Sequence, residues 1–262
     1  MKWMMIPRAL RDIIGVLLQG TIPFAERWML AGVLCRLKWQ LQAGSGAKTV
    51  KVRLAGRQLE LPNHADTQFV LREIWLDEVY LPIAGMHPAS VLDLGANVGL
   101  AGLFFRNRFP SLGEIVMLEP DPANFAMLRA NMPEAELHRE AVGVRDGMGR
   151  IEGGGGEGVM NHTVSPQEGG GVVIRSMRGL LARPFDLVKM DIEGAEWDIL
   201  ADLAGEPEIL GSVRYWMIEF HEGSQFAGSR KQIDEAFASL GYKNVQKGNV
   251  IHYFDDRPMQ LK

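Results

Sequence analysis

Residues 91–99 read V-L-D-L-G-A-N-V-G, and Glu119 stands 20 residues beyond Gly99, at the tip of the next apolar run, I115-V116-M117-L118. A short apolar strand tipped by an acid, two glycines flanking an asparagine, a helix-compatible run and a second acid after a second strand describe one edge of an open α/β sheet. Such an edge holds a nucleoside: the tight turn lets backbone approach the ligand, and the acid at the second strand's tip meets ribose hydroxyls. Gly95 and Gly99 suit backbone geometry that a side chain would obstruct.

The pattern is not the dinucleotide fingerprint. G-x-G-x-x-G laid from Gly95 requires glycine where the chain has Asn97 and Leu100. A pyrophosphate needs bare backbone at a helix N-terminus, whereas a ligand carrying a carboxylate, an ammonium and a sulfonium is served by an acid such as Asp93 and an amide such as Asn97. S-adenosyl-L-methionine fits that description better than NAD.

Four segments then occur in order: V-L-D-L-G-A-N-V-G-L, L-E-P-D-P-A-N, E-A-V-G and D-L-V-K-M-D-I-E-G-A-E. They resemble the successive signatures of the FkbM-type S-adenosylmethionine-dependent methyltransferases. The upstream D-T-Q-F-V-L-R-E-I-W-L-D-E-V-Y is similar to the helix that leads into that family's core, so the resemblance covers roughly residues 48–255. The first and last segments lie about 90 residues apart, a spacing suited to strands 1 and 4 of such a sheet. The resemblance implies a class I methyltransferase fold, a Rossmann-like, mostly parallel seven-stranded sheet, preceded here by a helical cap. It also implies methyl transfer to oxygen, commonly a hydroxyl of a sugar or other small natural product. The cofactor contacts it implies are Asp93, Gly95, Ala96, Asn97 and Gly99 around the methionine part and Glu119 with Pro120 at the ribose. Glu140 and Ala141 would lie beside the adenine, and Asp191 near the methyl group.

The chain has 262 residues, 47% of them hydrophobic, enough for one substantial core with an appendage. Residues 1–45 are expected to form an N-terminal helical extension and 46–262 the cofactor-binding domain. A formal charge of −4 leaves no basic footprint for nucleic acid. The charge is unevenly spread: residues 1–40 hold +4 and the remainder −8. One cysteine, Cys35, excludes an internal disulfide and is expected to be a buried thiol. The run 13–25 is closed by Asp12 and Glu26, short of the roughly 18 apolar residues that span a bilayer. With no clean signal-peptide core at the start, a cytoplasmic location is expected.

Residues 8–19 and 24–42 carry apolar stripes at helical spacing, separated by T-I-P. Two helices covering the core or the mouth of the site are expected; the alternative is a basic amphipathic pair on a membrane surface or a partner. A hairpin over 49–54 and 58–61, turned at Ala55-Gly56-Arg57, precedes a helix over 66–80 with Asp66 as its N-cap. A helix over 100–109 follows strand 1. Asp121 and Pro122 start the next helix, and residues 136–142 form strand 3. Residues 153–171 contain eight glycines and read as an exposed loop or a substrate lid bearing Asn161 and His162. Strand 4 is expected over 185–190, strand 5 over 213–220, a helix over 229–240, and a last strand pair over 242–245 and 250–254.

Methyl transfer to an alcohol demands alignment, exclusion of water and removal of a proton. Lys189 and Asp191 share one strand face by alternation, as do Glu219 and His221 at the end of I-E-F-H-E. If strands 4 and 5 are neighbours, Asp191, Glu193, Glu219 and His221 converge on the rim. These four, with Lys189, are the candidate acid/base cluster, His221 being suited as a neutral base. Lys189 and Asp191 read equally well as an ion pair that neutralises charge in an apolar strand, and Glu196 as a carboxylate favoured by a helix start. No tight ligand motif is present, so no metal is assigned, although the same acids and histidine could hold Mg²⁺ or Mn²⁺. The other histidines, His64, His87, His138 and His252, are assigned no role. Two rivals are an NAD-type oxidoreductase, against which Asn97 and Leu100 argue, and a cofactor-binding scaffold without turnover, against which the acids at both strand ends argue. The acceptor's identity and the oligomeric state are not written in the sequence.

Overall fold

A computed structural model of the chain describes residues 13–14, 16–17, 24–42, 48–83, 85–152, 163–221 and 229–255. Helix α1 (Phe24–Gln42) precedes a hairpin, β1 (Thr49–Leu54) and β2 (Arg57–Pro62), and helix α2 (Ala65–Trp75). Then come β3 (Ser90–Leu94), α3 (Leu100–Arg108), β4 (Glu114–Leu118), α4 (Pro122–Asn131) and β5 (Glu136–His138). A second group holds β6 (Glu140–Gly143), β7 (Gly147–Glu152), β8 (Thr163–Pro166), β9 (Val172–Ser176) and the turn-length α5 (Met177–Leu180). The chain finishes through β10 (Leu187–Met190), α6 (Glu196–Ala204), α7 (Pro207–Leu210), β11 (Tyr215–Glu219), α8 (Ser229–Ser239), β12 (Lys243–Lys247) and β13 (Val250–Phe254).

The main sheet has seven strands in the order β12-β13-β11-β10-β3-β4-β5. Strands β11, β10, β3, β4 and β5 are mutually parallel and β13 runs antiparallel to both its neighbours. This is the class I methyltransferase-like α/β fold expected from the sequence. The central strands are apolar on both faces because both faces are covered. Val91, Ile115, Leu187 and Met217 face one core, shared with α1, the hairpin, α2 and α3. Leu92, Val116, Val188 and Trp216 face the other, shared with α6 and α8.

Local chemistry sets the element ends. The hairpin turns on two residues, Ala55 and Gly56, both at positive φ, a tighter turn than the three residues read from sequence. Helix α2 is capped by His64, whose ring accepts from the Asp66 amide, and not by Asp66 itself. It stops at Trp75, five residues early, because Glu78 at φ 49 breaks the helical path. Arg108 then binds Glu26 at 3.0 Å and Glu78 at 2.9 Å, tying α1, the turn after α2 and α3 together. Asp121 accepts from the Ala123 and Asn124 amides and Pro122 opens α4, as expected.

The expected third strand over 136–142 is two strands. β5 ends at His138 on the main sheet's edge, and β6 starts at Glu140 in a separate four-stranded sheet of order β6-β9-β7-β8. Its strand β8 comes from the 153–171 stretch read as a loose loop, and Gly149 of β7 allows close packing against it: a Cβ there would meet Val164 Cγ1 at 2.7 Å. Residues 153–162, with Asn161 and His162, lie outside the described residues. Cys35, expected to be buried, is exposed.

Within the sheet one polar pair replaces apolar packing. Lys189 and Asp93 are register partners on β10 and β3, 2% and 0% exposed, with Nζ 3.1 Å from Oδ1. Lys189 also donates to the Gly95 carbonyl at 2.7 Å. Removing one partner of such a pair strands the other in an apolar interior, so Lys189→Met is expected to cost about 3–5 kcal/mol in urea unfolding. The double variant Lys189→Met, Asp93→Asn should recover much of that loss, and a single variant as stable as the parent would show that the pair does not hold the strands.

Candidate active site

An open cavity of about 1250 Å³, mouth included, lies at the carboxyl ends of β3, β4, β10 and β11 and is closed on one side by α2 and on another by β6 and β8. Its floor is the turn after β3. The Gly95 and Ala96 amides donate to the Leu118 carbonyl at 3.1 and 2.9 Å, locking that turn onto β4. Gly95 has φ 74, and a Cβ there would meet the Asp191 carbonyl oxygen at 1.8 Å, so only glycine lets the β3 and β10 ends approach this closely. At Gly99, φ 91, a Cβ would meet Met132 Cγ at 2.8 Å and Leu128 Cδ1 at 3.0 Å, at the end of α4. Asn131 secures the same region from below: its side chain accepts from the Glu60 amide and donates to the Glu60 and Val98 carbonyls, at 2.8, 2.9 and 2.8 Å.

Glu119 is buried with its carboxylate at the cavity. It accepts from the Asn97 amide at 2.8 Å and the Asp121 amide at 2.9 Å. Burial pushes its pKa up to about 7 against the pull of those two amides. Pro120, Glu140 and Ala141 continue the wall. Asp93 does not line the cavity. It lies beneath the turn, and its carboxylate faces Lys189.

On the opposite wall the acids and the histidine come together. His221 Nε2 lies 3.6 Å from Asp191, 3.5 Å from Glu193 and 4.0 Å from Glu219. Glu193 reaches the cluster from a backbone at φ 60, followed by Gly194 at φ 111. Asp191 also accepts from the Tyr80 hydroxyl at 3.0 Å and lies 3.5 Å from Lys189. Both readings of Lys189 and Asp191 therefore meet in one geometry: Lys189 is a buried counter-charge, and Asp191 is the end of that chain exposed to the cavity.

Glu196 does more than favour a helix start. Fully buried at 0% exposure, it accepts from the Ile192 and Gly194 amides at 2.8 and 2.7 Å and bonds His221 Nδ1 at 3.0 Å. The Trp197 indole donates to the His221 carbonyl at 2.7 Å. Ring and backbone are thus both held with Nε2 toward the cavity. Burial pulls the imidazole pKa down, but the Glu196 hydrogen bond and the charges of Glu196, Asp191 and Glu193 outweigh it and lift the value to about 9. The neutral base expected from sequence is, in this arrangement, a cation at neutral pH. Glu219 is raised as well: burial, then the charges of Asp191 and Glu73, push it up to about 7.

One ligand atom each from Asp191, Glu193 and His221 fall within 4.8 Å of one another, a grouping that could hold a divalent ion. From sequence these acids and this histidine could hold Mg²⁺ or Mn²⁺ with no metal assigned, and the structure narrows the grouping to these three. Sequence reasoning missed Glu73. Glu73 lines the cavity from α2 beside Val70 and Ile74, its pKa raised by burial and then by Asp191; a lone acid inside the apolar L-R-E-I-W run was the available signal. His252 is a core residue, bonded to the Val79 carbonyl at 2.7 Å and Tyr215 at 3.0 Å.

A profile of the methyltransferase FkbM domain matches residues 93–243, more than half the chain and every strand end of this cavity. The chain belongs to the FkbM methyltransferase family. Its cofactor is S-adenosyl-L-methionine, and the glycine-only approach at Gly95 beside the buried Glu119 carboxylate suits a ribose and an amino-acid tail. Methyltransferase 1 of Beauveria bassiana is 30% identical over 73 residues, 28% of either chain. The AMB antimetabolite synthetase AmbE of Pseudomonas aeruginosa is 35% identical over 94 residues, 35% of this chain and 4% of that one. The chain thus matches a small part of these curated relatives. Among solved structures, the methyltransferase FkbM of Methylobacillus flagellatus KT superposes with a TM-score of 0.45 at 14% identity, over 94% of this chain and 59% of that one. The precorrin-6y C5,15-methyltransferase of Geobacter metallireducens GS-15 gives 0.39 at 15%, over 72% and 90%.

The His221 environment has a direct readout. Its folded pKa of about 9 exceeds the ordinary 6.5, so the pairing stabilises the fold fully below about pH 6.5 and is lost as pH rises through about 9. In metal-free buffer, proton NMR of the imidazole should titrate near pH 9, and Glu196→Gln should move the midpoint down. A midpoint near 6.5 in the parent protein would remove the cationic assignment.

Proposed function

We propose that the protein transfers a methyl group from S-adenosyl-L-methionine to a hydroxyl of a small molecule, such as a sugar or other natural product. The observation that carries this reading is the carboxylate cluster across the cavity from Glu119, and within it Glu219. An alcohol is a poor nucleophile until its proton leaves, and a base works best with a pKa near the operating pH; Glu219 is pushed to about 7 by burial and by Asp191 and Glu73. A neutral amine would need no such group.

Bound in the cavity, S-adenosyl-L-methionine supplies an electrophilic methyl on a sulfonium. The turn at Gly95, Ala96, Asn97 and Gly99 would cradle its methionine part, Glu119 would accept from the ribose hydroxyls, and Pro120, Glu140 and Ala141 would border the adenine. Asp93 acts from beneath by holding Lys189, which bonds the Gly95 carbonyl and so sets the turn. Glu219 takes the acceptor's proton as the new C–O bond forms. Asp191 positions the acceptor, itself held by Tyr80 and Lys189, and His221 as a cation balances Asp191 and Glu193 so that the acids can share one wall. The wall of α2, through Val70 and Ile74, excludes water.

A second reading is favoured by the Asp191, Glu193 and His221 grouping: the same residues would hold Mg²⁺ or Mn²⁺, whose Lewis acidity would acidify the alcohol.

Glu219→Gln should lower turnover by about 10²–10⁴-fold with cofactor affinity little changed. Full turnover in that variant, combined with loss in chelator and rescue by Mn²⁺, would hand the proton step to a metal. NAD should leave the melting temperature unmoved while S-adenosylhomocysteine raises it.

Glu119 gives a pH signature. Its charged form accepts the ribose hydroxyls more strongly, so S-adenosylhomocysteine affinity should rise as pH climbs through about 7 and level off above. Calorimetry on Glu119→Gln should show weaker binding with that dependence gone; an unchanged affinity would displace the ribose from this edge.

A further inference from the structure

Helix α1 is apolar on two sides. Its inner side, Leu30, Val33, Leu34 and Leu37, is buried in the core shared with β1 and α2. Its outer side carries Phe24, Trp28 and Trp39, which are 70%, 57% and 67% exposed. At 3.6 residues per turn these three and the exposed Cys35 fall within about 60° of one another, a single ridge along the helix. Phe24 and Trp28 meet edge to face at 6.2 Å, so the ridge is partly ordered by its own rings.

Cations border the ridge on both sides, the half-buried Arg27 and Lys38 on one flank, Arg27 donating to the Leu17 carbonyl at 3.3 Å, and the exposed Arg36 on the other. The single acid of the helix, Glu26, turns inward to Arg108 at 3.0 Å. No helix among the described residues is long and apolar enough to cross a membrane. Large aromatic rings between basic residues on a helix that lies flat are the features that seat a helix at the headgroup boundary, where Trp occupies the interface and Lys and Arg meet anionic headgroups. A second copy of the chain fits less well, because a two-fold contact on this ridge would set each basic flank against cations of its mate.

We propose that the outward face of α1 docks the protein on an anionic lipid surface. The acceptor cavity is not part of this contact, although α2 both packs on α1 and lines the cavity.

The full chain should float with vesicles of phosphatidylcholine and phosphatidylglycerol at low ionic strength, and remain behind with phosphatidylcholine alone or at high salt. Trp28→Ser with Trp39→Ser should weaken that binding about tenfold or more, as should the charge reversal Arg36→Glu with Lys38→Glu. Trp28, Trp39 and Arg36 are exposed and Lys38 is half-buried, so circular dichroism and melting temperature should stay at parent values in the Trp variant and confirm folding in the charge reversal. Brominated lipid should quench the parent's tryptophan fluorescence and quench the Trp28, Trp39 variant less: of the four tryptophans left, Trp75 and Trp216 are buried, Trp197 is half-buried and Trp3 lies outside the described residues. Equal binding to neutral vesicles, binding undiminished in both variants, or no binding to either vesicle would overturn the proposal. So would a concentration-dependent dimer, seen in sedimentation, that the Trp substitutions abolish, since the face would then belong to a second copy.

Discussion

Lys189 is the only cation in the interior of the sheet among the described residues, and three separate parts of the site meet at its ammonium. Asp93 neutralises it from β3, the Gly95 carbonyl accepts from it at the turn that follows, and Asp191 faces it from the end of β10. The Tyr80 ring lies over it at 5.6 Å, adding a cation–π contact from the segment after α2. Burial alone would lower its pKa, but Asp93 and Asp191 override that and raise it, so the ammonium keeps its proton. A charged group in a dry sheet is tolerated only when its partners are fixed. The consequence is geometric: wherever Lys189 sits, the glycine turn and Asp191 must sit as well.

From that point the electrostatics build outward. Asp191 sits between two cations, Lys189 below and His221 above, and also accepts from Tyr80. Glu219 feels His221 and Lys189 only weakly, and both it and Glu73 are shifted toward the protonated form by burial and by Asp191. One wall thus holds carboxylates of different basicity within a few ångströms, the separation of environments that assigns different proton-handling roles to chemically identical groups. The wall's excess of negative charge also suits a cofactor whose reactive end is a cation.

The parts of this arrangement that were legible in the sequence are those carried by local pattern. Short continuous apolar runs located the central strands and period-3.6 stripes the helices, and D-L-G-A-N-V-G, Glu119 and K-M-D-I-E-G-A-E marked the rim. Tertiary pairing decided what was not legible. Asp93 and Asn97 are four residues apart and read alike as ligand groups, yet strand alternation sends Asp93 under the turn to Lys189. His221 looks like a free imidazole until Glu196, 25 residues earlier, is placed 3.0 Å from Nδ1. Residues 136–142 read as one strand because nothing in E-L-H-R-E-A-V reveals that the chain changes sheets at Arg139. Cys35 lies in an apolar run, but α1 is apolar on both sides, so hydrophobicity alone did not say which side faces the core.

Backbone strain points to the same rim. Four non-glycine residues among those described have positive φ, and two of them, Asn97 and Glu193, line the cavity. Asparagine tolerates that conformation, and there its backbone N–H donates to the Glu119 carboxylate. Glutamate does not, and a left-handed conformation costs it about 1–2 kcal/mol. At Glu193 the backbone is held by its neighbours: Glu196 takes the amides on either side of it, Ile192 and Gly194. The strained turn throws the Glu193 carboxylate to 3.5 Å from His221 instead of out into solvent. Here a fully buried carboxylate maintains backbone strain that places another carboxylate at a cavity wall; strain of this kind clusters at functional sites, and it supports the proposal that this wall handles the acceptor.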